Sequence, residues 1–211
     1  MRAGYGYSLP ISNTESSGAM SLQRYEAIEE SIKEQYLEKK RQQPDLFEKK
    51  LNMSWSNWGF GLEDLAVSCD RLKRAGLEYV ELHGNHYGAN LGYDADYALA
   101  TVRNAGLAVS GVCGMYNDDN DFSSHRPVKQ QEAIEYTVRE LDFTQAVGGD
   151  YLLVVPGSCG RADAYDDAEF PRSVEALRRV AHKFEETGIK GAIEPIRSAE
   201  VSFIHTVAEA I

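Results

Sequence analysis

The chain has few cysteines, a deficit of positive charge and no long apolar run. Its three cysteines, Cys69, Cys113 and Cys159, are an odd number, lie far apart and form no CxxC pair, so we predict a reducing cytoplasm and structural thiols. The formal net charge of -11 over 211 residues argues against nucleic acid or an anionic membrane as the main partner. No apolar run approaches the length of a membrane span and residues 1–20 hold no apolar core, so we expect neither a signal peptide nor a spanning helix.

The first 50 residues differ in character from the rest and are predicted to be an N-terminal arm with a helical extension. Residues 1–20 are irregular but carry apolar side chains, so we expect this arm to lie on another surface, such as another subunit. Residues 21–43 show a narrow apolar stripe at helical spacing, with acidic residues early, basic residues late and Pro44 at the end. This pattern predicts a helix that docks on one surface.

From residue 51 the pattern alternates between strand and helix. Strands are predicted at 51–55, 79–84, 107–114, 151–157 and 189–194, and helices at 62–76, 94–106, 128–149 and 168–188, with a fifth helix beginning at 201. Five successive βα units predict a parallel sheet with right-handed crossovers. Two architectures fit: part of a (β/α)8 barrel, or an open doubly wound sheet that five units would complete.

Two features of residues 51–211 favour the barrel. The segment after the first strand, NWGFGLED, contains GxG but not the full glycine fingerprint of a dinucleotide-binding loop. Polar or aromatic residues also end nearly every predicted strand, which is where a barrel builds its site. They are Trp55, Trp58, Glu81, His83, Met115, Tyr116, Pro156, Ser158 and Glu194.

The segment Gly188–Glu200, GIKGAIEPIRSAE, is the most informative stretch of the chain. A short strand, Ile189–Ile193, presents Glu194 at its C-terminal end, and Pro195 prevents the strand from continuing inside a sheet. A carboxylate at the end of a buried strand is costly unless it is paired. A metal ion, a substrate hydroxyl or a salt bridge to a neighbouring helix could each pair with the Glu194 carboxylate.

This segment also resembles a known family. EPIRSAE is similar to the segment after the fifth strand in the xylose isomerase-like barrel family, which includes D-tagatose 3-epimerase, and the resemblance extends over roughly residues 51–211. The stretch from Asp121 to Gly157 resembles the family's third loop, third helix and fourth strand. Arg197 and Ser198 stand where the family usually has Asn and Arg, which bears on the identity of the substrate more than on the fold.

The resemblance implies a metal-dependent sugar isomerase or epimerase. Glu194 would be both a metal ligand and the acid/base that takes the proton next to a sugar carbonyl, and Glu200 would contact the substrate. The cofactor would be a divalent metal ion, manganese, magnesium or cobalt. Its other ligands, Asp, His and Glu, would come from strands six to eight, outside these 211 residues. We therefore expect 211 residues to be the N-terminal part of a longer polypeptide, or a second chain to complete the barrel.

Three other residues are candidates for binding a sugar. His83, in ELHGNHYG, could contact substrate hydroxyls at the end of strand two. Trp55 and Trp58 could stack on the apolar face of a sugar ring. Each has an ordinary alternative, since a loop histidine can be structural and tryptophans can pack at the mouth of a barrel.

The sequence is compatible with three functions. The first is a sugar isomerase or epimerase that works through an enediolate. The second is a lyase of the same family that acts on 3-oxo sugars or oxidised C-glycosides as a subunit of a hetero-oligomer, which the N-terminal extension favours. The third is a non-catalytic subunit or binding module. We expect a small sugar as the substrate, a homo- or hetero-oligomer and a cytoplasmic location.

Overall fold

The computed structural model describes residues 20–48, 51–86 and 92–211. The chain divides into two compact units, residues 1–51 and 52–211, and each is described by itself. The predicted N-terminal arm lies outside the described residues except for Met20. No helix in the described part of the chain is long and apolar enough to cross a membrane.

The first unit contains the predicted long helix. It runs as α1 (Met20–Gln42) and is followed by α2 (Asp45–Glu48). The ring of Tyr36 contacts that of Phe47 edge-on at 5.3 Å between centroids. The stripe residues Ile28, Ile32 and Tyr36 are each at least half exposed.

The second unit is an α/β layer with one parallel sheet. Its elements are β1 (Ser54–Ser56), a 3-10 turn (Asn57–Phe60), α3 (Leu65–Arg74), β2 (Tyr79–His83), α4 (Ala95–Asn104), β3 (Ala108–Cys113), α5 (Pro127–Val147), β4 (Tyr151–Val154), α6 (Glu169–Thr187) and β5 (Lys190–Ile193). Four of the five strands are followed by a helix. Their bounds agree with the predicted elements to within a few residues.

The order of the strands decides between the two predicted architectures. The sheet reads β1-β2-β3-β4-β5 and every neighbouring pair is parallel. A doubly wound sheet reverses its strand order at a switch point, whereas a barrel adds each strand beside the previous one. The prediction of a partial barrel is confirmed, and the doubly wound alternative is wrong.

The helices begin and end where local chemistry favours it. The Asp64 carboxylate accepts a hydrogen bond from the Ala66 amide at 2.8 Å and so caps α3, and Asp94 caps α4 through the Tyr97 amide. A side-chain oxygen at this position satisfies an amide that the helix leaves unpaired. Gly188 ends α6 with φ of 72°, a left-handed conformation that glycine adopts without a Cβ penalty.

The core lies between the helices and one face of the sheet. Alternate strand residues on this face are fully buried: Val80, Leu82, Val112, Leu152 and Val154. Because successive residues of a strand point to opposite faces, the intervening residues lie on the other face. In a closed barrel this second face is the interior, and we call it the interior face.

The predicted fifth helix does not form. Residues 194–211 contain turns and bends but no helix, and Ile204 has a φ of 61°, outside the helical region. Part of the segment instead packs on neighbouring loops. A Cβ on Gly157 would lie 3.0 Å from the Phe203 ring, and that ring also contacts Phe170 at 6.1 Å between centroids. The segment thus packs on the loop after β4 and on the first turn of α6.

Candidate functional site

Glu194 lies at the C-terminal end of β5, as the sequence predicted. Its amide donates to the Val154 carbonyl at 3.0 Å, which extends the β4–β5 pairing by one residue. Ile193 pairs with Val154 on the helix side, so the alternation places Glu194 on the interior face. The side chain is half-buried, and burial raises its pKa, with the negative charges of Glu81 and Glu200 adding to the effect.

Glu81 is the second carboxylate of the interior face, and sequence reasoning did not assign it a role. It pairs in register with Gly111, which pairs with Tyr151 on the next strand. The Tyr151 hydroxyl reaches across Gly111 and donates to Glu81 Oε2 at 2.6 Å. Burial raises the pKa of Tyr151 to about 12, so its hydroxyl remains a proton donor at neutral pH.

Gly111 makes this reach possible. A Cβ at this position would lie 2.6 Å from both the Tyr151 ring and the Tyr151 carbonyl oxygen, closer than real Cβ atoms approach. The absence of a side chain at Gly111 lets the Tyr151 ring pass over β3 and reach Glu81. Glycine in a strand interior often marks such a close approach, so this is the signal from which the sequence could have revealed the pair.

His83 ends β2 on the same face as Glu81. Its amide donates to Asn57 Oδ1 at 2.7 Å, and its Nδ1 accepts a hydrogen bond from the Asn85 amide at 2.9 Å. Burial lowers the pKa of His83, and the neighbouring His86 lowers it further. A neutral ring whose Nδ1 accepts must carry its proton on Nε2, so His83 presents a donor.

Asn57 was missed by the sequence analysis. It is 1% exposed, and its amide nitrogen donates to the Tyr93 hydroxyl at 2.7 Å. Together with its bond to the His83 amide, this contact joins the end of β1, the end of β2 and the start of α4. Asn57 thereby fixes the backbone that carries His83.

The two tryptophans differ in their position relative to the interior face that carries Glu81. Trp55 pairs in register with Val80, whereas Ser56 pairs with Glu81. Trp55 therefore shares the helix-side face of the sheet and lies on the opposite face from Glu81. Trp58 lies in the 3-10 turn after β1 and is 53% exposed. Sugar stacking by either residue stays a prediction.

Glu200 lies close enough to Glu194 for its charge to raise the pKa of that residue. Arg197 donates through Nε to Glu200 Oε1 at 2.9 Å. The Glu200 carbonyl accepts hydrogen bonds from the amides of Gly160 and Arg161 at 2.9 and 3.1 Å. The loop after β4 therefore holds the backbone of Glu200, while its carboxylate remains partly exposed.

The two cysteines nearest the site are not activated. Cys113 is buried at the end of β3, and Cys159 lies half-buried in the loop after β4. Burial raises the pKa of Cys159 to about 11 and that of Cys113 still further. Because the thiolate is the nucleophile, burial disfavours nucleophilic reaction of either thiol at neutral pH.

No group of three or more His, Cys, Asp or Glu side chains in the described residues could hold a metal ion. Glu81, Glu194 and Glu200, whose charges interact, do not meet that requirement. The described residues therefore do not form a divalent-metal site by themselves.

Comparison with known proteins gives the fold a context. Residues 69–211 match the family model described as the xylose isomerase-like TIM barrel. No curated protein matches the chain.

Many solved structures are similar in fold, including the following three. An L-ribulose 3-epimerase is 18% identical, with a TM-score of 0.64 over 76% of this chain and 55% of its own. D-allulose 3-epimerase from Methylomonas sp. is 19% identical, with a TM-score of 0.65 over 77% and 57%. The 3-keto-D-glucoside 4-epimerase from E. coli is 20% identical, with a TM-score of 0.65 over 76% and 62%. The chain thus spans less than two thirds of the length of each.

Proposed function

The chain belongs to the xylose isomerase-like TIM barrel family, and on that premise we propose that it is the N-terminal part of a sugar isomerase or epimerase. The family match over residues 69–211 agrees with the resemblance of the EPIRSAE segment. The three similar structures are named as epimerases of sugars. The observation that carries the proposal is the position of Glu194, a carboxylate of raised pKa at the C-terminal end of β5.

Glu194 is proposed as the acid/base. A general base works best when its pKa lies near the working pH, and burial beside other carboxylates raises a carboxyl pKa in that direction. The Glu194 carboxylate takes the proton from the carbon next to a sugar carbonyl, which leaves an enediolate. Return of a proton to the opposite face of the same carbon gives the epimer, and delivery to the neighbouring carbon gives the isomer.

Glu200 and His83 are proposed as substrate-binding residues. The partly exposed carboxylate of Glu200 can accept hydrogen bonds from sugar hydroxyls, while Nε2–H of His83 can donate one. A donor and an acceptor at the same end of the sheet as the proposed base would orient a polyol. Trp58, exposed after β1, remains a candidate for stacking on the sugar; Trp55 has less support because it lies on the other face of the sheet.

We also propose a divalent metal ion, manganese, magnesium or cobalt, whose ligands are only partly in this chain. Glu194 would be one ligand, and the others would come from polypeptide beyond the described residues. Elemental analysis of the purified protein and of an assembly with all eight strands tests this. The proposal is supported if the complete wild-type assembly contains stoichiometric metal and the Glu194→Gln assembly contains less. A complete assembly that turns over sugar in the presence of a chelator would contradict it.

The acid/base role is tested by proton exchange in heavy water. The complete protein is incubated with ketohexoses and 3-oxo glucosides, and deuterium entering the carbon next to the carbonyl is followed by mass spectrometry. Glu194→Gln is expected to lower the exchange rate by about 10²-fold or more, whereas Glu185→Gln, an exposed control on α6, leaves it unchanged. Full exchange in the Glu194 variant would exclude this role.

A second candidate is a non-catalytic sugar-binding subunit, because the described residues hold no group of metal ligands. The lyase alternative rests on the separate unit of residues 1–51, which suits a subunit of a hetero-oligomer. Sugar binding without proton exchange, in a complete and metal-loaded assembly, would favour the binding subunit. Release of an aglycone from a 3-oxo C-glycoside would favour the lyase.

The location of the protein and its partners are also proposals. The three cysteines are free thiols, which agrees with a reducing cytoplasm. The net charge of -11 supports a small sugar rather than nucleic acid or an anionic membrane as the partner. A homo- or hetero-oligomer is proposed, and native mass spectrometry of the complete protein would measure it.

A further inference from the structure

Arg161 lies in the loop after β4 and is the centre of a buried ionic cluster. Its side chain is 16% exposed, and the two carboxylates that flank it, Asp121 and Glu169, are 0% and 4% exposed. Nη2 lies 3.3 Å from Asp121 Oδ2, and Nη1 lies 2.6 Å from Glu169 Oε1. The guanidinium also covers the Tyr165 ring, with Cζ 3.9 Å from the ring centroid.

Each carboxylate of this cluster is paired with a serine in the same way. Ser123 donates to Asp121 Oδ1 at 2.7 Å and accepts from Arg161 Nη2 at 3.1 Å. Ser202 donates to Glu169 Oε2 at 2.6 Å and accepts from Arg161 Nη1 at 3.4 Å. Each terminal nitrogen of the forked guanidinium thus contacts one carboxylate oxygen and one serine hydroxyl. A lysine, with a single nitrogen, cannot reproduce this geometry.

The cluster joins three loops at the C-terminal ends of the strands. Asp121 and Ser123 belong to the loop after β3, Arg161 to the loop after β4, and Ser202 to the segment after β5. Glu169 is the first residue of α6. Loops are the segments whose position a barrel leaves least determined, so a shared buried cation fixes their mutual arrangement.

The cluster also reaches Glu200 by two routes. The amides of Gly160 and Arg161 donate to the Glu200 carbonyl at 2.9 and 3.1 Å. Two residues further on, Ser202 is bonded to the Arg161 guanidinium and to Glu169. Glu200 is therefore attached to Arg161 through its own carbonyl and, two residues further on, through the Ser202 side chain. Its carboxylate bonds Arg197 and is not part of the cluster.

We propose that Arg161 is the positioning residue for Glu200: it holds the segment after β5 so that the Glu200 carboxylate faces the sugar. This rests on the proposed function for the role of Glu200, whereas the attachment itself rests on the contacts above. Stability alone does not require such a cluster, because apolar residues often replace buried ion pairs without loss. Its arrangement around one substrate-facing segment favours positioning.

The test uses Arg161→Lys in the complete protein, which keeps the charge and removes the fork. Amide hydrogen exchange of residues 198–203 is expected to accelerate by about tenfold or more, as for a segment released from its local contacts. Arg172→Lys is the matched control. Arg172 is also partly buried and bonds the Ser123 carbonyl at 2.9 Å, but none of its described contacts is with the Glu200 segment.

Ser202→Ala gives a second variant in case the lysine variant folds poorly. It removes the Ser202 hydroxyl, which contacts both Arg161 and Glu169, and keeps the side chains of Arg161, Asp121 and Glu169. It is expected to accelerate exchange at residues 198–203 while leaving exchange at Asp121 and Ser123 unchanged. Unaltered exchange in both variants, with the fold intact by circular dichroism, would overturn the attachment.

The second readout is the split between KM and kcat for a ketohexose that the wild type epimerises. Arg161→Lys is expected to raise KM by about tenfold with kcat within about threefold, because uniform binding is lost while Glu194 is untouched. A fall in kcat alone, or unchanged constants despite faster exchange, would overturn the positioning role. If the wild type epimerises no sugar, the proposed function fails and the substrate-facing role with it, while the exchange measurement still decides the attachment.

Discussion

Glu140 provides a sharp test of how burial controls ionisation in this fold. It lies on α5, is 6% exposed, and its Oε2 has no hydrogen-bond partner in the part of the chain that the structure describes. A Cβ on Gly84 would lie 2.9 Å from that oxygen, so the carboxyl is pressed against the loop after β2. Burial raises the pKa of Glu140 to about 8, and only the charge of Arg139 opposes it.

The sign of the effect follows from the protonation of the two states. Between the ordinary glutamate pKa and about 8, the folded state keeps the Glu140 proton and the unfolded state does not. Stability present at low pH is therefore lost as pH rises through this range. The slope for one proton is about 1.4 kcal/mol per pH unit, so the native protein should lose about 3 kcal/mol between pH 5 and 7.5 through this group alone.

The variant Glu140→Gln removes the titration and keeps the shape of the protonated side chain. We expect its free energy of unfolding to resemble the wild type near pH 5 and to exceed it increasingly above pH 6. Urea unfolding followed by tryptophan fluorescence measures this, since both tryptophans, Trp55 and Trp58, lie in residues 52–211. The amide can lower stability by a constant amount at all pH values, so the slope is the deciding quantity.

Glu132→Gln is the matched control for this prediction. Glu132 lies on the same helix and is exposed, so its removal should leave the pH slope as in the wild type. If the free energy of unfolding depends on pH in the same way in the wild type and in Glu140→Gln, the reasoning is refuted. That result would mean that Glu140 ionises in the folded state as readily as in the unfolded state.

Two further predictions concern Glu81, Gly111 and Tyr151, which lie side by side on the interior face. Gly111→Ala should lower the free energy of unfolding by roughly 1–3 kcal/mol, because its Cβ would strike the backbone and ring of Tyr151. Gly59→Ala is the control in urea unfolding, since a Cβ there would meet no atom of the described residues within 4 Å. Equal stability of the two variants would contradict the close approach. Tyr151→Phe should cost roughly 1.5 kcal/mol, the lower end for a hydrogen bond to a charged group. A double-mutant cycle with Glu81→Gln measures the coupling, and a value near zero would show that the bond contributes nothing.

Much of the fold could be predicted because its signals are local. Alternating apolar runs and amphipathic stretches identify strands and helices, and Gly188 and Pro195 mark the ends of α6 and β5 from their own backbone chemistry. Glu194 could be singled out for the same reason, since a strand pattern followed by proline fixes which residue comes last. The fifth helix was predicted wrongly, because periodicity does not reveal tertiary contacts such as those of Phe203 with Gly157 and Phe170.

The candidate site was predicted less completely than the fold. Glu194, Glu200 and His83 were identified from strand ends and from the family resemblance, and their roles remain proposals. Asn57, Glu81 and Arg161 were not assigned, because each depends on partners more than 20 residues away in sequence. Nothing in the local pattern around Arg161 distinguishes it from an exposed loop arginine.

The sequence by itself determined that this protein builds parallel βα units, belongs to the xylose isomerase-like family and places a carboxylate at the end of its fifth strand. Local periodicity, backbone chemistry and a short motif carry that information. Only the tertiary structure decided that the strands follow one another without a switch, that Trp55 and Glu81 lie on opposite faces, and that one arginine joins three loops. Such features depend on strand register and on contacts between distant segments, which exist only once the chain has folded.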